Sequence, residues 1–523
     1  MATSGVERNS VAGKPYTFRQ KFGLFLGIPL FILMLKIPIS ATLTPAAQNT
    51  LAVATLMAFW WITEALPIPA TSLIPIVAFP LLGIAKSSEI VRSYADSNIF
   101  LFMGGFFIAM SMQKWGLHRR IALHIIKIIG LGPKKIILGF MVATAFLSMW
   151  ISNTATTMMM FPIALAVILQ VSNFKDEKNN FLPDSITQPF QLALMLGIAY
   201  AASIGGIGTI IGTPPNIVFA AQVKSLFPNA PEIGFLQWMM VGVPLVLIFL
   251  PISWLLLTFI LQPIRIKKFP AGKEVIDEQL EKLGTISRGE KLVAIIFVFT
   301  ALAWIFRKNI EIGQFVIPGW SNLMGIAKYV NDATVAIFSS LLLFFIPENI
   351  EKKSFLLDWE WAIKIPWGIL LLFGGGIALA SGFKSTGLAA WVGQQLNAFS
   401  GIPLIFLIML TCIMLTFLTE ITSNTATSTI FMPILAATTL AIGLHPFLLM
   451  IPATISASCA FMLPVATPPN AIVFGSGYLT IPQMAKNGLL MNLIGVLIVT
   501  AVTYLIAIPA FGIILGQMPT WVH

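Results

Sequence analysis

Cysteine is nearly absent from this chain of 523 residues: there are two, Cys412 and Cys459, both inside apolar runs. So few exclude a disulfide scaffold and any multi-cysteine zinc or iron–sulfur site. Charge is scarce as well. Asp, Glu, Lys and Arg make up 10% of the residues, against about 25% in ordinary globular domains, and that leaves too little polar surface for a water-soluble protein. Histidine is rarer still, at four residues. No two of His118, His124 and His445 share metal-ligand spacing, and no nucleophile–base pair stands in an apolar run, so an integral membrane enzyme finds no candidate chemistry.

What is abundant points one way. Hydrophobic side chains are 57% of the total, including 40 Phe and 13 Trp, and the mean hydropathy is +0.90. Length alone would suggest roughly three soluble domains. Apolar segments recurring from residue 22 to residue 515 instead indicate a single polytopic membrane domain. The net charge of +11 comes from basic clusters flanking membrane segments, the pattern of the positive-inside rule, so no nucleic-acid partner is expected. Residues 1–21 are polar and carry Arg8, Lys14, Arg19 and Lys21, with no small-residue cleavage pattern after them. They read as a cytoplasmic tail before a retained first helix.

A bilayer core of about 30 Å needs roughly 20 apolar residues per helix. That length predicts eleven crossings, at 22–42, 48–65, 68–85, 97–115, 190–222, 236–262, 290–306, 332–347, 366–384, 444–478 and 485–515. Two further stretches, 134–172 and 403–442, are nearly long enough for two helices each, but a polar Ser-Asn-Thr cluster interrupts both. We read them as re-entrant hairpins. With the N-terminus inside, the basic segments 114–135 and 263–291 then fall on the cytoplasmic face and the C-terminus on the other. Segment 263–291 also holds five acids and reads as a solvated loop.

The two halves repeat. The run from Phe102 to Leu117 aligns with Phe373 to Leu388 at an offset of 271, as do Ser152-Asn153-Thr154 with Ser423-Asn424-Thr425 and Pro162 with Pro433. Thr213-Pro214-Pro215-Asn216 then matches Thr467-Pro468-Pro469-Asn470 at 254, the second copy lacking the hydrophilic insert near 173–188. With eleven crossings and same-side hairpins the copies start on opposite faces. Inverted repeats with broken helices are a transporter pattern. The expected organisation is a tail at 1–21, scaffold helices at 22–96, a first repeat at 97–262, a loop with second-half scaffold helices at 263–365, a second repeat core at 366–515 and an extracytoplasmic end at 516–523.

The polar breaks carry the chemistry. Ser, Asn and Thr cap helix starts, and non-helical backbone at membrane depth is tolerated only where it lines a cavity or lies in protein. At Ser148–Thr156 an incoming half-helix presents carbonyl oxygens suited to a hard cation. The outgoing half presents N–H groups carrying about half a positive charge, suited to an anion. The glycine-rich stretch Gly205–Asn216 permits an unwound strand, and proline sits comfortably in the first turn of the helix that follows. Gathered about a pseudo-twofold axis, two tips and two broken helices would make two cation sites flanking a polar pocket. Taken singly, a Ser-Asn-Thr cluster is usually helix–helix glue and a Pro-Pro a kink; duplication in register sets these apart. Glu420, an ionisable residue near the second tip, is a candidate proton or cation ligand; Met149 at the aligned position of repeat one favours a structural reading, pairing with backbone or a neighbour. Cys412, Cys459 and the Met158–Met160 run read as packing.

These residues resemble the divalent anion/sodium symporter family, whose hallmark is a pair of Ser-Asn-Thr hairpin tips. Both tips are intact here, at Ser152–Thr154 and Ser423–Thr425, and the resemblance runs from about residue 20 onward. It implies an all-α integral membrane fold of eleven helices and two re-entrant hairpins, inverted repeats, a homodimer and elevator motion. It also implies a first sodium site of Ser148, Ser152, Asn153 and the Gly212 carbonyl, and a second of Thr419, Ser423, Asn424 and the Ala466 carbonyl. Substrate carboxylates would meet Asn153, Thr154, Asn424 and Thr425, backed by Thr213, Pro214, Thr467 and Pro468. One departure inside the repeat is Ala466 opposite Gly212, and a carbonyl ligand tolerates it. No cofactor is implied beyond sodium as coupling ion. The expected activity is sodium-coupled import of a C4-dicarboxylate such as succinate, malate or fumarate. At least two sodium ions are expected, a third only by resemblance. A dianion without an arginine partner is costly at low dielectric, so sodium should bind first. Sodium-independent exchange is the alternative within transport, and an open channel fits broken helices around a closed midplane less well.

Overall fold

In the computed structural model, residues 15–130, 132–172, 183–266, 271–312, 315–395 and 401–522 are described. Arg8, Lys14, Lys267, Lys268, most of the hydrophilic insert and His523 lie outside them. Glycine decides how the first helix joins the rest. Helix α1 (Phe18–Lys36) buries only Gly23 and Gly27, while Phe18 and Phe25 are exposed to the surroundings. A Cβ at Gly23 would sit 2.1 Å from Thr63 Oγ1, and one at Gly27 would sit 2.1 Å from Trp60 Nε1. This small-residue face lets α1 close on α2 (Pro45–Thr63), and Trp60 Nε1 donates to the Gly23 carbonyl at 3.0 Å.

The first half continues with α3 (Ile68–Thr71), α4 (Ile74–Leu81), α5 (Ser87–Ser93), α6 (Ser97–Lys114), α7 (Leu117–Ile129), α8 (Pro133–Ser148), α9 (Asn153–Ser172), α10 (Asp184–Gly206), α11 (Pro214–Leu226) and α12 (Phe235–Leu255), which runs on as a π-helical turn over Leu256–Leu261. The expected span 68–85 is therefore two short pieces, divided before Pro75, whose ring removes a helix donor. Next come α13 (Ala271–Leu283), α14 (Arg288–Ile305), a small hairpin of β1 (Ile310–Ile312) with β2 (Phe315–Ile317), α15 (Trp320–Leu323) and α16 (Asp332–Phe345). Segment 263–291 thus departs from the solvated loop expected of it. Its acids serve as partners: Asp277 lies 2.7 Å from Lys127, and Glu290, at the start of α14, 2.8 Å from Arg120.

The second half holds β3 (Pro347–Asn349), β4 (Ser354–Phe355), α17 (Trp359–Ala362), α18 (Trp367–Ser385), α19 (Leu388–Gln395), α20 (Leu404–Thr419), α21 (Asn424–Ala441), α22 (Phe447–Ser456), α23 (Pro468–Phe474) and α24 (Ile481–Val502), again continued by a π turn at Thr503–Ala507 before α25 (Ile508–Ala510). Helices α6 to α12 thereby match α18 to α24 in order, the two π turns included. The repeats interlock: α11 packs on α18 and α21 of the other repeat, and α23 packs on α9 and α10. Helix α10 is buried along most of its length. At the far end Arg307 is buried between Asp332 at 2.6 Å and Glu232 at 2.9 Å. Burial opposes ionisation of Glu232, yet the Arg307 and Lys308 cations hold its carboxyl below the usual range.

Candidate functional site

Each hairpin turns where an α-helix ends on a hydroxyl and the next begins on an asparagine. In repeat one, Ser148 Oγ lies 2.6 Å from Asn153 Oδ1 and 2.7 Å from the carbonyl of Ala202 on α10. In repeat two, Thr419 Oγ1 lies 2.7 Å from Asn424 Oδ1 and 2.9 Å from the carbonyl of Ala457, just past α22. A hydroxyl owns one hydrogen. Each cluster therefore brings three oxygens together with one proton among them. Such a surplus of lone pairs in a buried place is what a hard, oxygen-seeking cation relieves.

The broken helices are built alike in the two repeats. Thr213 and Thr467 have nearly the same extended backbone, with φ of −142° and −141°, and each precedes a Pro-Pro first turn. Behind the strands, Asn216 Nδ2 bridges the carbonyls of Thr209 at 2.7 Å and Gly206 at 3.1 Å. Asn470 Nδ2 does the same for Leu463 at 3.0 Å and Ala460 at 3.1 Å. The asparagine ending each Thr-Pro-Pro-Asn motif is thus a staple that fixes the unwound strand. Its repetition is a signal the motif carried, though the sequence reading gave it no role. Close approach also explains the glycines of repeat one: a Cβ on Gly212 would sit 2.4 Å from the Gly206 carbonyl oxygen and 3.0 Å from that of Ser148.

Between the tips lies a cavity of about 450 Å³. Asn153, Thr154, Thr213, Pro214, Asn424, Thr425, Thr467 and Pro468 all line it, as do Ser152, Gly212, Ser423 and Ala466. Ser148 and Thr419 are fully buried behind the tips. The structure therefore brings the residues assigned to sodium and substrate from the sequence to one place. The Nδ2 groups of Asn153 and Asn424 donate to no protein acceptor among the described residues, leaving an amide from each repeat free at the wall.

Two lining residues were not foreseen. Arg19 of α1 and Glu64, just past α2, stand at the rim, paired at 3.0 Å, and Arg19 also reaches the Ile421 carbonyl on the second tip at 3.4 Å. An arginine is thus at hand, contrary to the expectation of none, though its charge is already balanced by Glu64. No repeat or motif marks this pair, because α1 belongs to neither copy. Glu420 pairs with backbone as expected of a structural residue, a point taken up below. His118, His124 and His445 engage local backbone. Among the described residues no group of histidine, cysteine and acids has metal-binding geometry.

Two interlocked repeats, each with a hairpin and a broken helix opening on one internal cavity, define a polytopic membrane transporter. The chain belongs to the sodium:sulfate symporter family, whose transmembrane region it matches over residues 19–516. Among curated relatives it is 45% identical over 505 residues to the sodium-dependent dicarboxylate transporter SdcS of Staphylococcus aureus strains MRSA252 and NCTC 8325, an alignment covering 96% of this chain and 94% of the relative. The fold is shared at 12% identity with solved structures of MtrF from Neisseria gonorrhoeae, covering 92% of this chain and 98% of that one, and of the YdaH transporter of Alcanivorax borkumensis, covering 88% and 98%. Both give TM-scores of 0.53.

Proposed function

We propose that the protein is a sodium-coupled symporter importing C4-dicarboxylates of the succinate, malate and fumarate class by alternating access. The observation that carries this reading is the matched pair of acceptor-rich clusters, Ser148–Asn153–Ala202 and Thr419–Asn424–Ala457, behind one cavity. Sodium at the first engages Ser148, Ser152, Asn153 and the Gly212 carbonyl; at the second, Thr419, Ser423, Asn424 and the Ala466 carbonyl. Asn153, Thr154, Asn424 and Thr425 then hold the substrate carboxylates, with Thr213, Pro214, Thr467 and Pro468 forming the floor.

Charge sets the order of events. Among the described residues the charged ones lining the cavity are Arg19 and Glu64, which cancel. A dianion entering alone would be uncompensated at low dielectric, so sodium binds first and the anion second, with at least two cations per dianion. The cavity mouth, at Arg19 and Glu64, lies where α1 begins and α2 ends. With the N-terminus cytoplasmic and the C-terminus extracytoplasmic, that mouth faces the cytoplasm. The repeat cores at 97–262 and 366–515 supply the moving hairpins, and the scaffold at 22–96 and 263–365 supports them. We assign the elevator motion to the first against the second, in a homodimer. The identity of the S. aureus relative as a sodium-dependent dicarboxylate transporter supports the choice of ion and substrate class.

The test is uptake of labelled succinate into proteoliposomes. Uptake is expected to require an inward sodium gradient and to be lost in Asn153→Ala and Asn424→Ala. Equal uptake with choline in place of sodium would defeat the proposal.

A further inference from the structure

The two unwound strands are held by different chemistry. In repeat one the backbone folds back on itself: Ile207 N–H donates to Ile204 at 3.1 Å and Gly208 N–H to Gly205 at 2.9 Å. In repeat two the matching N–H groups turn away from their own helix and meet Glu420. Its Oε1 accepts from Phe461 N–H at 2.7 Å and Met462 N–H at 2.9 Å, its Oε2 from Leu463 N–H at 3.0 Å. The Asn492 amide of α24 adds a fourth donor at 2.7 Å. Glu420 is 3% exposed. A carboxylate facing four donors has its lone pairs satisfied in the ionised form, and repeat one has Met149 in its place.

Resting on the sodium-symport reading above, we infer that Glu420 is a positioning residue for the second sodium site, and that its charge makes this site the first to fill. Glu420 follows Thr419 directly, and the strand it grips runs on through Pro464 and Val465 to Ala466. Fixing Phe461–Leu463 thereby fixes the approach of the Ala466 carbonyl to Thr419 and Asn424. The same carboxylate puts a negative charge on the residue that follows Thr419 of the second cluster, whereas the residue that follows Ser148 of the first is the neutral Met149. In a partly desolvated site a charge this close favours a cation by roughly tenfold or more. The twofold-related sites then bind in sequence, second before first.

Binding of radioactive sodium to the purified protein without substrate tests this. The wild type is expected to show two saturable phases separated by roughly tenfold or more. Glu420→Gln should weaken the tight phase by at least about that factor and leave the weak phase in place; Ser148→Ala should remove the weak phase alone. A tight phase that survives Glu420→Gln, or vanishes in Ser148→Ala, overturns the inference. Glu420→Asp keeps the charge on a shorter arm and serves if the Gln variant does not fold. Its two phases should remain separate, and their merging would overturn the inference. Absence of any saturable sodium binding to the wild type would instead defeat the symport reading itself.

Discussion

Repeat one and repeat two solve one problem with unequal means. Each must keep a stretch of backbone unwound inside a membrane protein, and each uses an asparagine staple and a Pro-Pro restart. Beyond that they diverge. Repeat one relies on smallness: Gly206 and Gly212 approach until no Cβ fits between them. Repeat two carries Ala460 and Ala466 at the matching positions, and a buried carboxylate holds its strand by three consecutive N–H groups. Duplication thus preserved the paired oxygen clusters and left the means of holding the strands beside them free to drift. Symmetry of ligands does not entail symmetry of affinity.

The largest effect should appear where the repeats agree most. Asn153 and Asn424 each contribute an oxygen to an acceptor-rich cluster and line the cavity, so on the proposed function either change to Ala should lower sodium-driven succinate uptake by about a hundredfold or more, losing two interactions at once. Retained uptake in one of the pair would break the equivalence. Glycine should separate them. Gly212→Ala places a Cβ against backbone oxygen at 2.4 Å, and uptake should fall by about tenfold or more as the strand shifts. Ala466→Gly only loosens a strand already gripped elsewhere, and should change uptake by less than about threefold. The ratio of the two rates measures how far repeat one depends on close approach.

Most of this architecture could be read from one chain because the repeat multiplied weak signals. A Ser-Asn-Thr cluster alone is ambiguous, but two at one offset beside two Thr-Pro-Pro-Asn runs mark a shared site, and the cavity gathers all of them. Helix ends were legible within a few residues where caps and prolines are local. What escaped depends on long-range packing. Arg19 lies 402 positions from the Ile421 carbonyl it reaches, and no periodicity records such a contact. Glu420 announced itself only as an ionisable residue in an apolar run. Its four donors come from a strand and a helix some 41 to 72 positions away. The helix at Ala271–Leu283 was hidden by its charge, which reads as solvated until Lys127 is found opposite Asp277 and Arg120 at the Leu283 carbonyl.

The staples should differ by degree. Asn216 bridges carbonyls of Gly206 and Thr209 and comes within 3.4 Å of Ile207; Asn470 bridges two. Leucine at either position removes that amide: the Gly206 or Ala460 carbonyl loses its donor, while Thr209 and Leu463 keep the backbone N–H of Gly212 and Ala466 and Ile207 keeps Trp238 Nε1, a loss of roughly 1–3 kcal/mol for each site. Thermal unfolding of the detergent-solubilised protein should therefore fall in both variants, and further for Asn216→Leu, whose strand has no carboxylate to hold it. Equal losses would show that Glu420 adds little to the strand it grips.

The smallest effect belongs to the rim, and it probes an asymmetry outside the repeats. Arg19 and Glu64 are 47% and 46% exposed, and such a pair contributes only about 0–1 kcal/mol to stability. Arg19→Gln should leave thermal unfolding nearly unchanged. It removes the cation of the cavity rim, however, and leaves Glu64 unbalanced there. A dianion approaching from that side then meets a net negative mouth, and long-range steering turns against it. Half-saturating succinate measured from the Arg19 side should rise by about two- to threefold at low ionic strength and return toward the wild-type value as salt screens the mouth. Glu64→Gln reverses the sign, leaving Arg19 uncompensated, and should lower the same quantity by a similar factor. Among the described residues this pair hydrogen-bonds to the second hairpin tip, through Ile421. A change in sodium dependence in the Arg19 variant, rather than in succinate dependence alone, would mean that the rim acts on the second tip and not on the approaching anion.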